Sequence, residues 1–348
     1  NDGFKYNDNF NHSTWLTFMK NRFEVARELL RDDGVIFVQC DDNEQDYLKV
    51  LMDEVFGRGN FVETLFILNN LKGNYNTEYF ANVGEYCYVF AKNKSKFRVK
   101  DITITDEEEI EKWEEDDLGY WKVGRNLKAT GENAPREKRP TMFFPLYISD
   151  DNDFSLEKSD KYYLEIYPIT NGQEMCWNWS KEQFLKQKRD VLIFRDNNNN
   201  VNIHKKQRPT ISDIISKKPK NLFYHPSFSN TVSAKHIQEL FNGKVFLYSK
   251  SEFLIKDIIE ISTQPNDIVL DYHLGSGTTA AVAHKMGRQY IGVEQMDYIE
   301  TIAVERLKKV IDGEQGGISK SVNWQGGGDF IYFELAKWNE TAKEKIFD

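Results

Sequence analysis

Apolar side chains in the first ninety residues fall into alternating helical and strand-like stretches. Trp15, Leu16, Phe18, Met19, Phe23, Ala26, Leu29 and Leu30 recur at helical spacing and predict an amphipathic helix over residues 13–31, stopped by Asp32-Asp33-Gly34. Val35-Ile36-Phe37-Val38 is a continuous apolar run, as expected of a strand buried on both faces of a parallel sheet. Asp42 is placed to cap a following helix that carries Tyr47, Leu48, Leu51, Met52, Val55 and Phe56 and ends near Gly57. Residues 62–68 and 86–91 read as strands around an Asn/Gly/Lys-rich loop, 69–76. From about 93 to 247 the pattern loosens, with basic residues alternating with aromatics and a polar tip at 197–200. From 252 the α/β alternation returns: helix 253–261, strand 268–271, helix 278–286, strand 290–293, helix 298–311, then an alternating edge strand at 329–335. The simplest layout is a βαβ core interrupted by a long mixed insertion, giving segments 1–93, 94–247 and 248–348.

Composition narrows this picture. Of 348 residues, 40% are hydrophobic and 14% aromatic, enough for a sizeable core and against disorder. No apolar run approaches the roughly 18 residues of a membrane span. Cys40, Cys87 and Cys176 form no CxxC pair and the six histidines form no HExxH, so neither a disulfide framework nor a zinc site is expected, and a reducing cytoplasm fits. Charge is uneven: residues 1–117 carry net −11, 118–250 net +8 and 251–348 net −6. A basic middle suits a polyanion, with Arg125, Arg136, Lys138, Arg139, Lys205, Lys206 and Arg208 as candidates for phosphate or base-edge contacts. The acidic run 106–117 reads as a solvated helix or loop. Trp177 and Trp179, beside Cys176, read as packing groups. Asp41-Asp42-Asn43-Glu44 reads as helix capping and not as a metal or acid–base site.

The sharpest signal is Asp271-Tyr272-His273-Leu274-Gly275-Ser276-Gly277-Thr278-Thr279, which follows a short apolar strand and opens a helix. Gly275 and Gly277 permit a tight turn and close backbone approach to a ligand. Seventeen residues beyond Gly277, Glu294 ends the next strand, where a carboxylate accepts hydrogen bonds from ribose hydroxyls. The pattern is close to the NAD fingerprint, but Asp271, at the strand end, would repel a pyrophosphate. S-adenosylmethionine carries a positive sulfonium and an ammonium and no phosphate, so Asp271 suits it. Only 77 residues follow Asp271, too few for the rest of a methyltransferase sheet, which places the other strands upstream in a permuted order.

In this order the residues resemble the permuted amino-methylating DNA methyltransferases, most closely the modification subunits of type III restriction–modification systems, which methylate adenine N6. Asn1-Asp2-Gly3-Phe4-Lys5-Tyr6-Asn7-Asp8 resembles the segment after that family's catalytic motif. Leu30-Arg31-Asp32-Asp33-Gly34-Val35-Ile36-Phe37 with Asp41-Asp42-Asn43-Glu44 is similar to its strand–loop–helix, and Glu85-Tyr86 through Ala91-Lys92-Asn93 to its hairpin. Phe228-Ser229-Asn230-Thr231, and Lys250 with Leu254-Ile255, resemble the lead-in to the cofactor strand, and Val322-Asn323-Trp324-Gln325-Gly326-Gly327-Gly328 its late loop. Two departures stand out. No DPPY, NPPF or SPPW string occurs, and Ser249-Lys250-Ser251 replaces a lysine usually flanked by prolines. Because the chain starts at Asn1 in a loop-like segment, a piece of a longer protein is expected, with DPPY just upstream and the piece itself inactive.

The resemblance implies an α/β, Rossmann-like S-adenosylmethionine-dependent methyltransferase sheet with an inserted DNA target-recognition region. Asp271, His273, Leu274, Gly275, Ser276, Gly277, Thr278, Thr279, Glu294 and Lys250 would form the cofactor site, His273 as a wall of the pocket and not a base. It implies double-stranded DNA as substrate, a homodimer, and a restriction subunit with helicase-like and nuclease activity as partner. The chemistry would be direct methyl transfer to the exocyclic amine of a flipped-out base. The alternatives are a Rossmann-type NAD-dependent oxidoreductase and a catalytically inert nucleic-acid-binding subunit.

Overall fold

The computed structural model describes residues 12–70, 73, 78–104, 107–196, 200–209 and 215–335. Residues 1–8, which resemble a post-catalytic segment, lie outside them. So do residues 71, 72 and 74–76 of the Asn/Gly/Lys-rich loop, Asp106, and 197–199 of the polar tip. The chain divides into two compact units, residues 1–100 with 219–348, and residues 101–218. The inserted unit is therefore shorter than the expected 94–247.

The first unit begins with helix α1 (His12–Leu29), strand β1 (Val35–Cys40) and helix α2 (Gln45–Met52), which continues through a π turn, Asp53–Gly57. Met19 and Phe23 of α1 meet Leu48, Leu51 and Met52 of α2, with Val55 and Phe56 of the π turn, over Tyr88 and Phe90. Those aromatics belong to β3 (Gly84–Ala91), which lies between β1 and β2 (Phe61–Leu68) and runs antiparallel to both. This corrects the parallel, doubly buried reading of β1. All six of its residues are half-buried, and among the described residues it pairs only with β3. A continuous apolar run encodes a strand but not the direction of its neighbour. Nor does Asp42 cap α2. Glu44 occupies that position without a side-chain capping bond, while the Asp41 carboxylate accepts from Asn43 N and Nδ2 in a local turn.

The second unit is mainly antiparallel. Strands β4 (Glu114–Asp116) and β5 (Gly119–Asn126) form a hairpin, and three short strands follow: β6 (Leu146–Ile148), β7 (Phe154–Ser155) and β8 (Leu164–Ile166). After helix α3 (Lys181–Lys186), which opens with a Ser180/Gln183 capping box, come β9 (Val191–Arg195) and β10 (Val201–Gln207). The strand order is β9-β10-β5-β4 in one sheet and β7-β6-β8 in the other. Their core centres on Trp177, fully buried with Nε1 donating to Phe144 O at 2.8 Å, alongside Trp179, Phe154 and Phe184. Both tryptophans are thus packing groups. The acidic run is helical at Glu107–Ile110, as expected, but its Glu114–Asp116 portion is β4, with Glu114 and Glu115 exposed.

The chain returns to the first unit with β11 (Leu222–Phe223), parallel to β2, and helices α4 (Asn230–Phe241) and α5 (Glu252–Ser262), whose N-caps Ser229 and Ser251 accept from Val232 N and Phe253 N. Strand β12 (Ile268–Asp271), helix α6 (Thr278–Lys285) and strand β13 (Gln289–Gly292) then form a βαβ unit with β12 and β13 parallel. A π turn (Ile299–Val304) leads into α7 (Glu305–Ile311). The expected edge strand at 329–335 is absent: the segment forms no ladder among the described residues, and Ile331, Phe333 and Leu335 are all at least 75% exposed. No described helix is long and apolar enough to cross a membrane.

Candidate cofactor site

The glycine loop leaves the carboxyl end of β12 and enters α6. Gly275 (φ +56°) and Gly277 (φ +77°) adopt left-handed backbone that a side chain disfavours. A Cβ on Gly277 would also press on Ala303 at 3.2 Å, so this residue admits the close packing of the π turn before α7. Asp271 ends the strand half-buried and accepts from His273 N at 3.0 Å. Burial raises the Tyr272 phenol to about 12, with Asp271 adding to the shift. The His273 ring keeps an exposed face but is crowded by Tyr272 and Phe18, and this desolvation lowers its pKa despite Asp271.

Glu294 reaches the loop from the end of β13, as its spacing predicted. Its Oε2 accepts from Gly275 N at 2.9 Å and from the Tyr298 hydroxyl at 3.1 Å, and its Oε1 from Gln295 N and Met296 N. The carboxylate is thus a clasp across the loop. Leu274, Ser276, Gly277 and Thr278 are buried and Thr279 half-buried. The Ser276 and Thr278 hydroxyls bond inward, to Ser249 and to each other, so these two residues offer the loop surface their backbone and not their hydroxyls.

Lys250 joins the two halves of this unit. Its carbonyl accepts from Thr278 Oγ1 at 3.3 Å, while its Nζ bonds Glu85 Oε2 at 2.6 Å at the start of β3. Gln39 Nε2 and Asn69 Nδ2, at the carboxyl ends of β1 and β2, also donate to Glu85 at 2.6 Å. Burial would raise the Glu85 pKa, but Lys250 and the two amides outweigh it and hold the carboxyl below its ordinary value. Parallel strand ends, a positive-φ loop, a clasping carboxylate and a half-buried aspartate suit a nucleoside with a cationic substituent better than one with a pyrophosphate.

Spacing along the chain did not reveal Glu85, Tyr298, Ser249, Arg306, Glu252 or Lys285. The available signal was a charge set into an apolar helical pattern, as with Lys285 after Ala280-Ala281-Val282-Ala283 and Arg306 before Leu307. His236, Glu252 and Glu314 bring possible metal-ligand atoms within 4.8 Å of one another, but the Lys285 ammonium bonds both carboxylates and supplies the positive charge there.

In the second unit the basic candidates separate into two groups. Arg208 bonds Asp116 twice at 2.8 Å and Asp190 at 2.8 Å, and Lys206 bonds Asp116 at 2.6 Å while lying over Trp121; their side chains are 17% and 14% exposed. Asp116, from the acidic run, takes up both. Arg136 pairs with Glu174 at 2.7 Å and stacks on Phe143, and Arg139 donates to Asn133 O. Arg125 and Lys138 are exposed and Lys205 half-buried, and the side chains of these three form no hydrogen bond or ion pair among the described residues.

The DNA methylase family profile matches residues 1–305. The chain is 43% identical over 382 aligned residues to the HindVI Mod subunit of Haemophilus influenzae, covering 99% of this chain and 50% of that protein. It is 41% identical to the Mod subunit of the type III restriction-modification enzyme EcoPI of Escherichia phage P1, covering 78% of this chain and 43% of that one. It therefore spans about half the length of the curated relatives it matches. Among solved structures, the M1.HpyAVI–SAM complex is similar with a TM-score of 0.39 at 15% identity, covering 84% of this chain and 82% of that one, too loose a likeness to place residues. The profile match over residues 1–305 and the 43% identity along nearly the whole chain make this chain a member of the DNA methylase family.

Proposed function

We propose that this chain is the cofactor-binding and DNA-recognising portion of a sequence-specific adenine-N6 DNA methyltransferase, the modification subunit of a type III restriction–modification system. The observation that carries the reading is the loop from Asp271 to Thr279, clasped by Glu294 at parallel strand ends, in a member of the DNA methylase family. S-adenosylmethionine, when bound, supplies an electrophilic methyl group on a sulfonium. The residues that would hold it are the Gly275–Thr279 backbone around the methionine part, Asp271 balancing positive charge, and Glu294 at the ribose. Leu274 and His273 would wall the pocket, and Lys250 would fix it against Glu85. An exocyclic amine is a poor nucleophile, so the protein's work is alignment and exclusion of water.

The inserted unit would read duplex DNA, with Arg125, Lys138 and Lys205 as the side chains free to reach phosphate. Kinship to Mod subunits supports a homodimer and a restriction subunit as partners, and a DNA substrate supports a cytoplasmic location. The 348 residues contain no DPPY, NPPF or SPPW string, so by themselves they are expected to bind cofactor and DNA without transferring a methyl group. Equilibrium dialysis with tritiated S-adenosylmethionine, with filter retention of duplex DNA across a salt series, tests the reading. Cofactor uptake with salt-sensitive DNA retention supports it, while failure of cofactor uptake overturns it.

A further inference from the structure

The glycine loop rests on a buried charged network that sequence spacing does not reveal. Arg306, 1% exposed on α7, directs Nη1 to Thr278 Oγ1 at 2.8 Å, Ser276 O at 3.2 Å and Ser276 Oγ at 3.3 Å. Its Nη2 bonds Glu252 Oε1 at 2.8 Å. Glu252 Oε2 accepts from Lys285 Nζ at 2.8 Å and Ile318 N at 3.1 Å, and Lys285 also bonds Glu314. Ser249 Oγ closes the network on the loop side, 2.9 Å from Ser276 Oγ and 3.1 Å from Thr278 Oγ1.

Two cations against two carboxylates leave this cluster without net charge. Such a cluster is an expensive way to fill a core, because well-packed apolar residues of similar volume stabilise as well or better. Apolar residues, however, cannot donate to a loop carbonyl and two hydroxyls at once. A guanidinium can, because its planar fork spans separate acceptors in fixed directions.

We propose that Arg306 is a positioning residue for cofactor binding: without touching the ligand, it holds Ser276 to Thr278 in the shape that receives the nucleoside. This rests on the reading of the loop as an S-adenosylmethionine site. Glu252 orients Arg306 from behind, and Lys285 with Glu314 keeps Glu252 balanced.

The test compares three variants of the whole chain by calorimetric titration with S-adenosylhomocysteine, by melting without ligand, and by hydrogen exchange at residues 275–279. Arg306→Lys keeps a charge opposite Glu252 but cannot span Glu252 and Thr278 together. Thr278→Val removes the 2.8 Å acceptor and leaves the Arg306–Glu252 pair in place, so it decides the matter if Arg306→Lys fails to fold. Glu314→Gln disturbs the same network with no contact to the loop. The proposal expects Kd to rise about tenfold or more in Arg306→Lys and Thr278→Val, with faster exchange at 275–279. It expects Glu314→Gln to melt lower with unchanged Kd. It is overturned if the first two variants bind as tightly as the parent chain, or if Kd weakens in Glu314→Gln in proportion to its fall in stability. If the unsubstituted chain binds no S-adenosylhomocysteine, the site reading itself fails and this inference falls with it, which is a different result from tight binding that ignores Arg306.

Discussion

Glu294 and Glu314 are both partly buried carboxylates held by several donors, but they act on different things. Glu294 ties Gly275 to the end of β13, so Glu294→Ala removes both the clasp and the expected ribose contact. Binding of S-adenosylhomocysteine should weaken about tenfold or more, the scale of a hydrogen bond to a charged group, in a calorimetric titration. Unchanged affinity would remove Glu294 from the site. Glu314 acts on stability. Burial works to raise its pKa, but His236 and Lys285 outweigh that and take it from 4.5 to about 2. A depressed carboxyl contributes stability that is complete above its unfolded value and disappears as pH falls through the folded one. Melting temperature should therefore fall between about pH 4.5 and 2, and Glu314→Gln should start lower at neutral pH and fall less steeply across that window. Parallel melting curves for the two proteins would contradict this assignment.

Among the elements, β10 and the residues just after it decide what the inserted unit can do. Lys206 and Arg208 bond Asp116 and brace β10 against the β4–β5 hairpin, whereas Lys205 and Arg125 are left to solvent or ligand. Arg208→Ala is thus expected to lower the melting temperature with little change in the salt dependence of DNA binding. Arg125→Ala with Lys205→Ala should do the reverse, reducing the slope of log K against log salt by about one for each phosphate no longer neutralised. Filter retention at several salt concentrations distinguishes the two outcomes. The elements were legible where periodicity is local, as in α1, β2, β3, α5, β12 and α6. They were not where a partner distant in sequence decides. The 106–117 acids read as a solvated segment and the 205–208 bases as DNA contacts because nothing in either segment states that Asp116 and Arg208 meet. The 329–335 alternation satisfies strand periodicity, yet no described neighbour offers it a ladder.

For the whole molecule, the glycine loop was recognisable because its constraints are local: a strand end, two glycines with positive φ, and an acid one strand later. Its support was not, since Ser249 with Glu252, Lys285, and Arg306 come from three separate places in the chain and converge only on folding. Lys250 and Glu85, 165 residues apart, likewise tie the late glycine loop to the early sheet. Such links hold the first unit together across the inserted residues 101–218 that separate its two parts in the chain. What the glycine loop binds is the central question. Isothermal titration of the 348-residue chain with S-adenosylhomocysteine and, in a parallel run, with NADH measures it directly. The expected result is saturable S-adenosylhomocysteine binding in the millimolar range or tighter and no heat from NADH; saturable NADH binding with none for S-adenosylhomocysteine would contradict it.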